Sequence, residues 1–169
     1  MTVTDDDELP ERARRAFADH GAFDPDGDGW RVATTAFDAV VGAESRGTDE
    51  IRFSVTVTVP TLSAVTADAV ADVVEDGWAE TFERRVVAVG GVPRANGEFD
   101  PQIVIDDDAI TVIFELRDGN AARGVDDAKA LVDFVEGTYV QGVIPGYEYT
   151  EPVADLLSAA RRQGNDGAV

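Results

Sequence analysis

The feature that most constrains the fold is the strict alternation of residues 51–59. The odd positions, from Ile51 to Val59, are all apolar. The even positions carry Arg52, Ser54 and two threonines. A period of two is typical of a β-strand that has one buried face and one solvated face. Strands of parallel sheets are usually apolar throughout, because helices cover both of their faces. The segment therefore predicts an antiparallel sheet that is covered on one side only.

Three other segments show the same alternation. Residues 99–105 and 110–116 are separated by three consecutive aspartates at 106–108, which predicts a β-hairpin. Residues 30–43 alternate with a phase shift near Thr35, which indicates two short strands or one strand with a bulge. The segment 24–29 (DPDGDG) precedes them and is predicted to be a turn.

Four segments have the period of 3.6 residues that is typical of amphipathic helices. They cover about residues 8–20, 67–89, 126–141 and 151–162. Thr66 is placed to cap the second helix, and Gly90-Gly91 to end it. The inward stripe predicted for the second helix contains Val73, Trp78 and Phe82, and it also contains one arginine, Arg85.

The order of these elements does not alternate as strand–helix–strand units, which predicts an α+β fold. We expect a single antiparallel sheet packed on one face by helices, in the order α-β-β(-β)-α-β-β-α-α. Residues 8–162 should form one domain. Residues 1–7 are expected to be a disordered acidic tail and residues 163–169 a second disordered tail.

The charge of the chain indicates its solvent more than its function. It has 34 acidic and 14 basic residues, for a formal net charge of −20. Aspartate exceeds glutamate by 22 to 12, and Lys129 is the single lysine beside 13 arginines. This bias is typical of a protein from the cytosol of an extreme halophile, where concentrated salt screens repulsion between surface carboxylates.

The same charge argues against several partners. An acidic chain is a poor nucleic-acid binder, and the pairs Arg84-Arg85 and Arg161-Arg162 stand near helix ends, where cations are favoured in any case. The start of the chain has no signal-peptide pattern, and no apolar run reaches the length of a membrane span. We therefore expect a cytoplasmic protein with no nucleic-acid or membrane partner.

The sequence contains no recognisable catalytic set. It has no cysteine, which excludes thiolate nucleophiles and cysteine-based zinc sites, and His20 is its only histidine. No glycine-rich phosphate loop or nucleophile motif is present. The expectation is a protein without a catalytic site or cofactor, and whether it is an enzyme stays open, with the balance against it.

One acidic segment is the basis of an alternative functional hypothesis. Asp24, Asp26 and Asp28, followed by Gly29, match positions 1, 3, 5 and 6 of a calcium-binding loop. Position 12 should be a glutamate and is Thr35 instead, so an acidic turn is the competing interpretation. If these three carboxylates do bind a divalent metal, with Ca²⁺ as the cofactor, the protein is a calcium-binding protein or a small metal-dependent enzyme.

The segment 137–149 is the most unusual part of the chain. It holds all three tyrosines among three glycines and a proline, and it carries almost no charge. Tyrosine and glycine are common in recognition loops, although a packed corner between two helices is the competing interpretation. The predicted partner-binding residues are Tyr139, Gln141, Tyr147 and Tyr149.

Three strings support a resemblance. The sequences TTAFDAVV (34–41), DGWAETFERR (76–85) and DAKALVDFVEGTYVQGVIPGYEY (127–149) resemble an uncharacterised haloarchaeal family of unknown function, over about residues 8–160. The element order is also loosely similar to that of type III secretion chaperones, which implies a homodimer that binds polypeptides. We therefore expect a non-enzymatic, chaperone-like module that binds a protein partner or a second copy of itself.

Overall fold

In a computed structural model, residues 10–47, 49–88 and 101–166 are described, and this part of the chain forms four helices and one six-stranded sheet. The helices are α1 (Glu11–His20), α2 (Asp72–Val87), α3 (Ala121–Gln141) and α4 (Val153–Asp166). The strands are β1 (Phe23–Asp26), β2 (Gly29–Val32), β3 (Asp38–Arg46), β4 (Glu50–Pro60), β5 (Gln102–Ile105) and β6 (Ala109–Asp118).

The predicted α+β fold with a single antiparallel sheet is confirmed. All neighbouring strands are antiparallel, in the order β1-β2-β3-β4-β6-β5. The alternation that predicted β4 sets its two faces, since Ile51, Phe53 and the three valines that follow are fully buried. Helix α3 packs against β4 and β6 on this inner face, and α1 and α2 pack against α3.

One strand was missed, because the segment 24–29 is a hairpin rather than only a turn. Phe23–Asp26 pairs with Gly29–Val32, and Gly27 makes the connection with φ +59°. The composition hid β1, since proline and aspartate are rare in strands. Pro25 is tolerated because β1 is the edge strand of the sheet.

Helix α2 begins at Asp72, five residues later than the predicted start. The preceding backbone has other partners, because Thr66 forms a β-bridge with Tyr149 and the Ala67 amide donates to the Glu148 carbonyl. Thr66 therefore does not cap the helix, and its hydroxyl donates to the Asp68 carbonyl instead. Tyr149 and Glu148 lie about 80 residues away in the chain, so local sequence patterns could not reveal these backbone pairings.

Helix α3 begins at Ala121, five residues before the predicted start. Asn120 caps it by accepting a hydrogen bond from the Arg123 amide. Gly124 is not a helix breaker, because it lies where α3 meets the ring of Phe53, and a Cβ there would collide with that ring. Helix α4 runs to Asp166, beyond the predicted end at residue 162.

The other strand predictions hold within the described residues. Strands β2 and β3 are two separate strands joined by residues 33–37, which resolves the phase shift near Thr35. The predicted hairpin is β5–β6, although its proposed start at Phe99 lies outside the described residues, as do the helix stop at Gly90-Gly91 and the N-terminal tail.

Candidate functional site

The three predicted calcium ligands lie on the β1–β2 hairpin. Asp24 and Asp26 are in β1 and Asp28 follows the turn glycine, and all three are exposed. The Asp24 carboxylate lies 3.8 Å from the Arg31 guanidinium on the paired strand. In the described part of the chain, no group of three His, Asp or Glu side chains is arranged to hold a metal ion. Calcium binding by this hairpin stays a prediction.

The single histidine has a structural contact. His20 Nε2 lies 3.0 Å from Asp126 Oδ1, and this contact joins the end of α1 to α3. Its ring also packs edge-on against Phe23, at 5.2 Å between the ring centroids. These contacts fix the corner where α1, α3 and β1 meet.

The four predicted partner-binding residues differ in their exposure. Tyr139 is buried, and its hydroxyl donates to the Pro60 carbonyl at 3.0 Å. Tyr149 is half-buried, and its hydroxyl both donates to the Ile144 carbonyl and accepts from the Ile144 amide. Tyr147 is half-buried, whereas Gln141 is exposed at the end of α3. Their role in partner binding stays a prediction.

Two side chains whose pKa values are shifted, Tyr139 and Asp118, have structural roles. Burial raises the pKa of Tyr139 far above its ordinary value. The Arg123 guanidinium lowers the pKa of Asp118, whose oxygens lie 2.7 Å from Arg123 Nε and Nη2. Asp118 also accepts a hydrogen bond from the Asn120 amide, so it holds the start of α3.

The outer face of the sheet is the first of two surfaces that could bind a partner. The helices lie against the inner face. The middle of the outer face has uncharged side chains in neighbouring rows, and these rows end at Arg31, Asp38 and Glu115. We call this surface the outer patch, and it comprises Val40, Gly42, Ser54, Thr56, Thr58, Gln102, Val104, Thr111 and Ile113. Val40 and Val104 are the most exposed of its apolar side chains.

One end of the outer face is charged but balanced. Arg52 Nε lies 2.8 Å from Glu44 Oε1 and 3.5 Å from Glu115 Oε1. Arg117 lies 3.8 Å from the same Glu115 oxygen. Two arginines and two glutamates therefore form a cluster with no net charge beside the outer patch.

The second surface is a groove on the helix side. It has a volume of about 350 Å³ and lies between α2, the end of α3 and the loop that follows α3. We call it the α2–α3 groove, and its lining residues from α2 are Val73, Val74, Gly77, Trp78, Thr81, Phe82 and Arg85. Thr138, Gln141, Gly142 and Ile144 line the other side.

Sequence reasoning placed part of this groove in the core. Val73 and Arg85 share the predicted inward stripe with Trp78 and Phe82, yet Val73 is 79% exposed and Arg85 is also exposed. Of the predicted partner-binding residues, Gln141 lines the groove. An arginine within an apolar helix stripe was the available signal, because a charged side chain is rarely buried without a partner.

Comparison with models of protein families identifies a family for this chain. The model of a family of unknown function, DUF5813, matches residues 18–159, which is most of the chain. The protein belongs to this family. The predicted resemblance to a family of unknown function is thus confirmed, and the DUF5813 match spans both the outer patch and the α2–α3 groove.

The other two comparisons, with curated proteins and with solved structures, found no match. None of the helices in the described ranges combines the length and the apolar character that crossing a membrane requires.

Proposed function

We propose that this protein is a non-enzymatic protein-interaction module that forms a homodimer through its outer patch. The observation that carries the proposal is the composition of that patch. Its nine contiguous residues are uncharged, and Arg31, Asp38 and Glu115 lie at its border, in a chain with 28% charged residues and a net charge of −20. A solvated face of such a protein has no need to exclude carboxylates, whereas depletion of charge is typical of the centre of an interface.

The face of the sheet is better suited to pairing than its edges. The edge strands β1 and β5 have four residues each, and β1 contains Pro25, which cannot donate a backbone hydrogen bond to another strand. Strands β3, β4 and β6 are longer and form the centre of the outer face. Two copies would therefore pack sheet against sheet, about 10 Å apart.

The size and charge of the outer face also fit a second copy. The strand lengths give the whole outer face an area of about 700 Å². An interface centred on the outer patch and extending over the rest of this face would therefore approach the roughly 800 Å² that each partner contributes to a standard interface. The cluster of Glu44, Arg52, Glu115 and Arg117 has no net charge. It can therefore lie against its own copy without net repulsion.

We infer that this association takes place in the concentrated salt of a haloarchaeal cytoplasm. Two protomers of charge −20 repel each other strongly in dilute buffer. At 1 M salt the Debye length falls to about 3 Å, so the repulsion between the two acidic surfaces is largely screened. The chaperone-like form of the proposal, in which the homodimer also binds a polypeptide, rests on the predicted similarity of the element order to that of type III secretion chaperones.

Sedimentation equilibrium in 2 M KCl tests the proposal. The wild type should be a dimer, and Thr56→Asp and Ile113→Asp should be monomers with unchanged circular dichroism, because each places a carboxylate at the centre of the outer patch. Thr34→Asp is the matched control, since Thr34 is exposed between β2 and β3, and it should remain a dimer. A monomeric wild type, or a dimer that tolerates both patch substitutions, would refute the proposal.

A further inference from the structure

The α2–α3 groove lies on the helix side of the sheet, so it is independent of the proposed dimer. One stripe of α2 lines it, with Val73, Gly77, Thr81 and Arg85 at successive intervals of four residues. These residues extend along about 18 Å of the helix. The carboxylates of α2 lie outside this lining, at Asp72, Glu75, Asp76, Glu80 and Glu83.

The groove has one charged lining residue. The other ten residues that line it are uncharged, and Arg85 has no ion-pair or hydrogen-bond partner among the described residues. The neighbouring Arg84 differs, because its guanidinium donates to the Thr81 hydroxyl at 3.3 Å. A groove whose described lining has one arginine without such a partner and no carboxylate is complementary to an anion with one negative charge. A guanidinium binds a carboxylate through two parallel hydrogen bonds.

The rest of the lining favours an apolar ligand. Trp78 and Phe82 stack with 5.9 Å between their ring centroids, and both contribute to the groove as well as to the core. Val73, Val74 and Ile144 add aliphatic surface. Aromatic and aliphatic walls with a few polar groups are typical of small-molecule sites.

Two glycines keep the groove open. A Cβ on Gly77 would meet no atom of the described residues within 4 Å, so this turn of α2 borders open space. A Cβ on Gly142 would approach Trp78 Nε1 at 3.8 Å, which is ordinary contact. The volume of about 350 Å³ is near the lower end of the range for ligand sites, which suits a molecule about the size of an aromatic amino acid.

We propose that the α2–α3 groove binds a small apolar carboxylic acid. The carboxylate pairs with Arg85, and the apolar body lies against Trp78 and the valines of α2. Gln141 and Thr138 supply further hydrogen-bonding groups at the α3 side.

Fluorescence titration of the full chain in 1 M KCl tests this site. In a Trp30→Phe background the one remaining tryptophan is Trp78, which lines the groove. The probes are 3-phenylpropanoate, its neutral amide and the cationic 3-phenylpropylamine. The carboxylate should change the Trp78 emission saturably and bind about tenfold more tightly than the amide, because a hydrogen bond to a charged group adds more than a neutral one. The amine should bind more weakly than the amide.

Variants separate the charge from the space. Arg85→Gln should remove the preference for carboxylate over amide, whereas Arg84→Gln, which removes the same charge one residue away, should keep it. Gly77→Leu should weaken all three probes by filling the groove, and Gly77→Ala should weaken them much less. Circular dichroism would establish that each variant is folded.

Three results would overturn the proposal. They are no saturable binding of 3-phenylpropanoate to the wild type, equal affinity for the carboxylate and the amide, and an unchanged preference in Arg85→Gln. A peptide with a free C-terminal phenylalanine that binds more than tenfold more tightly than 3-phenylpropanoate would also overturn it, because the site would then recognise a chain terminus.

Discussion

At the scale of single residues, Asp118 is a buried carboxylate that holds the start of α3. Its side chain is 1% exposed and accepts hydrogen bonds from Arg123 and from the Asn120 amide. Asp118→Asn should lower the free energy of unfolding at pH 7 by about 2 kcal/mol, because Arg123 would lose its charged partner. Asp133→Asn is the control, since Asp133 pairs with Lys129 at an exposed position and should change stability by less than about 0.5 kcal/mol.

The pKa of Asp118 also gives this prediction a pH dependence. Arg123 lowers that pKa below 3.8 in the folded protein, so the stabilisation is present above the unfolded value and is lost as the pH falls through the folded value. The difference in stability between wild type and Asp118→Asn should therefore shrink below pH 3.8. Urea unfolding at pH 7 and at pH 3 measures it, and a difference that is equal at both pH values would contradict the role of the ionised carboxylate.

The buried hydroxyl of Tyr139 gives a second prediction about stability at the residue scale. This hydroxyl donates to the Pro60 carbonyl, so Tyr139→Phe should destabilise the protein by about 1 kcal/mol at pH 7. Burial raises the pKa of Tyr139 in the folded protein, so the fold favours the neutral phenol. This contribution to stability is present below pH 10 and is lost as the pH rises above 10 toward the pKa of the folded state. Thermal unfolding at pH 7 and pH 11 should show the Phe variant losing less stability than the wild type. An equal loss in both proteins would argue against a buried, neutral hydroxyl.

At the scale of elements, two glycines of α3 should respond in opposite directions to the same substitution. Gly124→Ala should destabilise by about 1–3 kcal/mol, because the new Cβ would collide with the Phe53 ring and force α3 away from β4. Gly137→Ala should stabilise by about 0.5–1 kcal/mol, since its Cβ would meet open space and alanine favours helix. Unfolding free energies of the two variants measure this, and a stabilised Gly124→Ala would show that α3 does not approach the sheet as described.

The elements also show how far local sequence patterns reach. Strands β4 and β6 were predictable because residues 51–59 and 110–116 alternate in the sequence and each strand has one buried face. Strand β1 and the start of α2 were not, because they depend on backbone partners elsewhere, such as the pairing of Thr66 with Tyr149.

The two candidate surfaces also differ in how far local sequence patterns predict them. The outer face could be predicted from the polar positions of β4, whereas the α2–α3 groove had as its signal one arginine, Arg85, within an apolar helix stripe. The periodicity of a helix shows which residues share a face. It does not show whether a residue of that face, such as Val73, packs against another element or remains exposed to solvent.

At the scale of the whole molecule, the acidic surface predicts a strong dependence on salt. The formal net charge of −20 on 169 residues produces self-repulsion that 2 M KCl screens, so the melting temperature should be at least several degrees higher in 2 M KCl than in 50 mM KCl. Differential scanning calorimetry at one protein concentration measures it. Equal melting temperatures would mean that the carboxylates do not destabilise the fold in dilute buffer, and the inference of a high-salt environment would lose its basis.

The most direct test of the central claim, that two copies meet through the outer face of the sheet, is a distance between spin labels. The chain has no cysteine, so one cysteine can be introduced and labelled at Val104 on the outer patch or at Asp76 on the exposed side of α2. Sheets packed face to face are about 10 Å apart and the helix layers add about 10 Å on each side, so dipolar spectroscopy in 2 M KCl should give a distance at position 104 that is shorter by about 10 Å or more than that at position 76. A shorter distance at position 76, or no dipolar signal at either position, would contradict the account.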